Sequence, residues 1–147
     1  MRKKGFGLLV VLLIGLVFLV VGMLSAADNK GPDTICIQNT GYKAIKKGPV
    51  SFSHKKHHDD YGIACTECHH NYENGKNVWK EGDPVKHCKD CHNPLKKQGK
   101  VLKLQNAYHK NCKTCHKKLA KEGKKAGPYK KCSKCHAKKG QGCPGAS

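Results

Sequence analysis

Four Cys-x-x-Cys-His motifs stand between residues 65 and 136 of this 147-residue chain. They are Cys65-Thr66-Glu67-Cys68-His69, Cys88-Lys89-Asp90-Cys91-His92, Cys112-Lys113-Thr114-Cys115-His116 and Cys132-Ser133-Lys134-Cys135-His136. Two thiols three positions apart, followed at once by an imidazole, form the attachment pattern of c-type haem. The cysteines add to the porphyrin vinyl groups and the histidine sits under the iron. The competing reading of paired CxxC is a zinc site. Zinc needs no histidine directly after the second cysteine, and all four pairs have one. The motifs therefore call for four haem c groups.

That demand constrains the fold. From Asp28 onward the aromatic residues are Phe52, Trp79, Tyr42, Tyr61, Tyr72, Tyr108 and Tyr129, and large aliphatic residues are scarce. A conventional core can hardly be built from these. Four haems supply the missing apolar mass at roughly 30 residues each, so the porphyrins are expected to be the core. The haem-free chain is expected to be largely unfolded. The expected fold class is small, mainly α and irregular, with a short N-terminal β element and the chain wrapped round four closely packed haems.

The first residues are Met1-Arg2-Lys3-Lys4, and an uncharged apolar run extends from Phe6 to Leu24 before Ser25-Ala26-Ala27. Basic start, apolar stretch and small-residue ending make residues 1–27 a secretory signal peptide. The run is also close to the length of a membrane span, so retention as an uncleaved anchor is the alternative. Cleavage removes Arg2, Lys3 and Lys4 and leaves 26 lysines against 10 acidic residues. Such an excess is first of all a solvated face. It also suits docking to acidic partners, and nucleic acid is a poor partner for an exported haem protein.

Residues 28–47 read as a loose lead-in, with Gly31-Pro32 and Gly41 as breakers. Residues 48–140 form the haem domain and 141–147 a flexible tail. Pro49-Val50-Ser51-Phe52-Ser53 alternates like a short strand, and a helical segment from His54 to Asp60 follows. Asn71 to Pro84 reads as a loop. Leu104 to Leu119 is the strongest helix, with Leu104, Ala107, Tyr108, Cys112, Cys115 and Leu119 on one face and Gly123 ending it. The motifs recur at intervals of 23, 24 and 20 residues, a repeated haem unit.

Each iron needs a second axial ligand. Methionine raises the potential there, whereas a second histidine keeps it low. The two methionines, Met1 and Met23, both lie in the leader. Six histidines remain besides the four of the motifs: His54, His57, His58, His70, His87 and His109. They suffice for bis-histidine ligation of all four irons. His70 follows His69 directly and must serve a different haem from its neighbour. His54 and His57, one helical turn apart, can serve two adjacent haems. His109 sits one turn before Cys112 and is better placed to reach another haem than its own. His58 is an alternative to His57, and His87 is most simply a solvent-facing side chain. Cys36 and Cys143 are left over. Outside the cytoplasm they either pair or stay as two free thiols.

From about Val50 to His136 the chain resembles the class III tetrahaem cytochromes, the cytochrome c3 group of sulfate-reducing bacteria. The resemblance rests on Phe52-Ser53-His54-Lys55-Lys56-His57, Cys68-His69-His70, Tyr108-His109 and the order of the motifs. It implies His69 and His54 for the first haem, His92 and His70 for the second, His116 and His57 for the third, and His136 and His109 for the fourth. The chain departs from many members in having two residues, not four, between the cysteines of the second and fourth motifs.

The resemblance further implies a periplasmic, low-potential electron carrier and not an enzyme. Such a carrier takes electrons from hydrogenase or formate dehydrogenase and passes them to membrane-bound cytochrome complexes. It also implies a lysine patch near the fourth haem, for which Lys117, Lys118, Lys130, Lys131, Lys134, Lys138 and Lys139 are candidates. The rival class is a multihaem reductase with one open iron, since chemistry at iron needs a free axial position. The histidine supply is against it.

Overall fold

The structure is a computed structural model and describes residues 31–143. The expected signal peptide and the end of the tail lie outside the described residues. Within them, no helix is long and apolar enough to cross a membrane.

The β-branched segment Ile35–Ile37 (β1) pairs antiparallel with Val50–Phe52 (β2), setting Ile35 opposite Phe52 and Ile37 opposite Val50. The second strand falls where the alternation placed it. The first lies in the segment read as a loose lead-in, so residues 28–47 are not loose throughout. An Ile-Cys-Ile triplet is too short to announce itself by period, and it becomes a strand because β2 lies beside it.

Just before β2, the chain meets the residues after the fourth motif. Gly48 N donates to Ala137 O at 3.1 Å, and Ala137 N donates to Pro49 O at 2.9 Å. A Cβ on Gly48 would lie 2.6 Å from Ala137 O and would also collide with Lys138 O. Only glycine permits this approach. Cys36 is bonded to Cys143, with Cα atoms 5.7 Å apart across 107 residues of sequence. Part of the segment read as a free tail is therefore tied to β1.

After β2 comes a helical turn, with Lys56–Asp60 in π-helical form. The segment read as a loop after the first motif contains a hairpin, Tyr72–Glu73 (β3) against Lys76–Asn77 (β4). Its two central residues, Asn74 and Gly75, have φ of 50° and 80°. Asn-Gly is the favoured pair for this turn because both positions need positive φ. The signal was present in the sequence.

The second motif forms a one-turn helix, Cys88–Cys91 (α1), and Leu104–Lys121 (α2) carries the third. The latter runs two residues beyond Leu119 and ends before Gly123, whose φ is 70°. Leu104 is the only large apolar side chain fully buried among the described residues. A domain of this length normally buries many, so side chains alone do not make its core.

Candidate haem-binding site

The covalent motifs are built as helical turns. His69 N donates to Cys65 O, His92 N to Cys88 O and His136 N to Cys132 O, each at 2.8 Å. The third motif lies within α2. One turn sets two thiols and an imidazole on neighbouring positions, which is what a single porphyrin requires of its attachment segment.

The thiol of Cys112 feels thiols of all four motifs. Cys112 is exposed as a residue, yet its sulfur is crowded. That crowding pushes its pKa up to about 11, and the nearby Cys68, Cys135, Cys88 and Cys115 add to the effect. Tyr108, held by Asn39 Nδ2 at 3.5 Å, is likewise pushed up to about 12 by burial.

The histidines show the most regular feature of the molecule. The rings of His54 and His69 have centres 6.2 Å apart, His70 and His92 6.1 Å, His57 and His116 6.2 Å, and His109 and His136 6.3 Å. Each pair joins one motif histidine to one from outside the motifs. Two imidazoles bound through nitrogen to opposite faces of one metal have centres about 6.3 Å apart, given a bond of about 2.0–2.1 Å and about 1.1 Å from nitrogen to ring centre. The four pairs fit the two axial positions of a haem iron. They are also the four pairs that the resemblance implied.

The spare histidines sit differently. The ring of His58 lies 5.0 Å from that of His54, too close to share a metal in this way, and its Nδ1 meets Asp59 Oδ1 at 2.7 Å. His87 is exposed and starts α1, where its backbone N donates to Asp90 Oδ2 at 2.8 Å.

Backbone carbonyls orient four of the eight paired rings. His57 Nδ1 meets Ser53 O at 2.8 Å, His92 Nδ1 meets Leu102 O at 2.8 Å, His116 Nδ1 meets Pro128 O at 3.1 Å and His136 Nδ1 meets Gly48 O at 2.9 Å. A carbonyl can only accept, so Nδ1 carries a proton and Nε2 is the nitrogen that would bind a metal. Gly127 lies flat against His116, where a Cβ would come within 2.5 Å of Cε1.

Side chains hold the first pair instead. Trp79 lies against His69 with ring centres 5.0 Å apart and planes at 31°. Asn77 fixes that arrangement. Its Oδ1 accepts from Asn71 N at 2.9 Å and Trp79 N at 3.2 Å, while its Nδ2 donates to His69 O at 3.1 Å. Across the pair, His54 Nδ1 is buried with no hydrogen-bond partner; the Pro32 carbonyl is near but outside hydrogen-bond geometry. Burial lowers the pKa of both rings, and the neighbouring histidines, His58 beside His54 and His54 beside His69, add to it. Both therefore favour the neutral form that binds metal. Burial also lowers His70 and His109, with His92 and Lys113 contributing respectively.

Sequence reasoning missed Trp79, Asn77, Gly48 and Gly127 as parts of the site. Asn74-Gly75 was the one signal that pointed towards the first two.

Comparison with known proteins agrees with this chemistry. The Class III cytochrome C family model matches residues 32–136. A cytochrome c3 from Maridesulfovibrio salexigens is 39% identical over 99 residues, spanning 65% of this chain and 84% of that protein. Among solved structures, the di-tetrahaem cytochrome c3 from Desulfovibrio gigas superposes with a TM-score of 0.52 at 24% identity. That match covers 74% of this chain and 98% of the other. Members of this family are multihaem electron-transfer proteins that bind haem c. On its motifs, its fold and these matches, the chain belongs to the class III cytochrome c family.

Proposed function

We propose that this chain is an exported, low-potential electron carrier with four haem c groups, each iron held between two histidines. The observation that carries the reading is the set of four histidine pairs with nearly equal ring separations. His54 and His69 would hold the first haem, His70 and His92 the second, His57 and His116 the third, and His109 and His136 the fourth. Cys65, Cys68, Cys88, Cys91, Cys112, Cys115, Cys132 and Cys135 would form the thioether links. When bound, haem supplies one-electron exchange at iron, and two imidazoles keep its potential low.

The chain's own part is positioning. Carbonyls and Trp79 fix ring orientation, and paired histidines close both faces to small substrates, so carrier function needs no pocket. The chain would enclose the porphyrins as its core, in keeping with the single fully buried large side chain among the described residues.

The periplasm is the proposed location, following the signal-like leader. Proposed donors are hydrogenase or formate dehydrogenase, and proposed acceptors are membrane-bound cytochrome complexes of a sulfate-type respiration. Lys117, Lys118, Lys130, Lys131, Lys134, Lys138 and Lys139 are all exposed and would meet an acidic partner. Electron-transfer rates with such a partner would fall steeply with salt.

Intact mass under denaturing conditions tests the reading, because thioether-bound haem survives denaturation. The expected mass is the chain from Asp28 plus four haems. Fewer haems would break the ligand scheme. Carbon monoxide binding to the native reduced protein would instead favour a reductase with an open iron.

A further inference from the structure

The four histidine pairs are alike in spacing but not in their outer partners. Both rings of the His57/His116 pair donate Nδ1–H to carbonyls, Ser53 O and Pro128 O. The His70/His92 pair has one such bond, from His92 to Leu102 O. The His109/His136 pair also has one, from His136 to Gly48 O. In the His54/His69 pair neither ring makes a carbonyl hydrogen bond among the described residues, although the Pro32 carbonyl lies near His54. His54 Nδ1 is buried and unpartnered, and Trp79 covers His69.

This difference has a chemical sign. An imidazole whose Nδ1–H is hydrogen-bonded carries more negative charge on its metal-binding nitrogen and is a more basic ligand. A more basic ligand stabilises ferric iron over ferrous iron, and so lowers the potential. Two bonds on one iron act in the same direction. Removing both, and covering the site with apolar rings that solvate charge poorly, raises it.

We propose that these outer partners rank the four haems: the one held by His57 and His116 is the hardest to reduce, and the one held by His54 and His69 the easiest. The other two fall between. The proposal rests on the four-pair ligation scheme. It makes Ser53, Pro128 and Trp79 positioning residues that act through the ligands, and it gives the electron a direction of fall within one small protein, towards the side shielded by Trp79.

The structure also supplies a label for the test. The ring planes of His57 and His116 lie at 29°, whereas the other pairs lie at 69°, 81° and 85°. Near-parallel imidazoles split the two iron orbitals they face and give a rhombic low-spin ferric resonance. Near-perpendicular ones leave those orbitals close in energy and give a signal with one large g value. The experiment is a redox titration of the intact holoprotein followed by electron paramagnetic resonance.

The rhombic signal is expected to disappear last as the potential is lowered. Its loss before the large-g signals would overturn the ranking. No low-spin signal of either kind would overturn the ligation scheme itself, and the ranking with it.

For the other end of the order, the Trp79 indole proton identifies its neighbouring haem by nuclear Overhauser contacts, and that haem is expected to become diamagnetic first. If it does so last, the proposal fails. Gly127→Ala should push the His116 ring off Pro128 O and move the rhombic signal's midpoint up, towards the others. An unchanged midpoint in a variant whose His116 hydrogen bond is lost would also overturn the proposal.

Discussion

The sites at His69 and His136 begin from the same five-residue motif and are held by opposite means. Around His69 the hold is local and made of side chains, with the β3–β4 hairpin returning Asn77 to the His69 carbonyl and Trp79 to its ring. Around His136 the hold is distant and made of backbone. Gly48 O accepts from His136 Nδ1 across 88 residues, and Gly48 and Pro49 bond to Ala137. The motif specifies attachment but not how the histidine is steadied. A local clamp can form as soon as its loop closes, whereas the distant one needs both ends of the domain in place.

The broadest break of this comparison removes the haems. With Leu104 as the only fully buried large side chain among the described residues, neither region should stay folded. Replacing all eight motif cysteines with serine should give a chain without a cooperative thermal transition by circular dichroism. A sharp melt would mean that the clamps suffice without porphyrin.

Gly48→Ala strikes only the distant clamp. Its Cβ has no room against Ala137 O, so we expect a loss of about 3 kcal/mol in denaturant unfolding, with the His109/His136 spectrum disturbed and the His54/His69 spectrum intact. Disturbance of both would show that the two regions are one cooperative unit.

Trp79→Leu strikes only the local clamp. Trp79 is half-buried on a ring that the proposed thioether links would also hold, so the expected cost is smaller, about 1–2 kcal/mol. The altered low-spin signal should belong to the first haem alone, seen by nuclear magnetic resonance of the reduced and oxidised protein.

The smallest effect concerns Tyr108, which lies between Asn39 and the second motif. Burial raises its pKa to about 12, above the value of an unfolded tyrosine. The neutral form is therefore favoured in the folded protein. Stability is full below about pH 10 and falls as pH rises towards 12. Tyr108→Phe should flatten that alkaline loss in equilibrium unfolding. An unchanged alkaline profile would remove Tyr108 from the account.

Much of the site was legible because it is written in consecutive residues. Cys-x-x-Cys-His is a local pattern, and Leu104–Lys121 announced itself by period and by Gly123. Spacing and the family resemblance together favour His57 over His58, and in the structure His57 lies opposite His116 while His58 meets Asp59. What stayed hidden depends on backbone atoms. Any residue has a carbonyl, so Leu102 and Pro128 carry no mark as partners of His92 and His116. Ring-plane angles follow from those partners and were equally out of reach. Strand β1 was missed because three residues cannot show a period, whereas the Asn74-Gly75 turn carried a plain signal that was read only as a loop.

The disulfide between Cys36 and Cys143 also sorts the ten cysteines in time. Chain synthesis brings Cys36 out first and its partner after all eight motif thiols. Under the proposed export, Cys36 waits for its partner until all eight motif thiols have followed it. Any early bond with one of them would cost a haem its anchor. Maturation of the proposed tetrahaem protein would then be a race between thioether formation and disulfide mispairing. A secreted preparation with one haem too few and a misplaced disulfide is the by-product this chain should make when haem supply runs short.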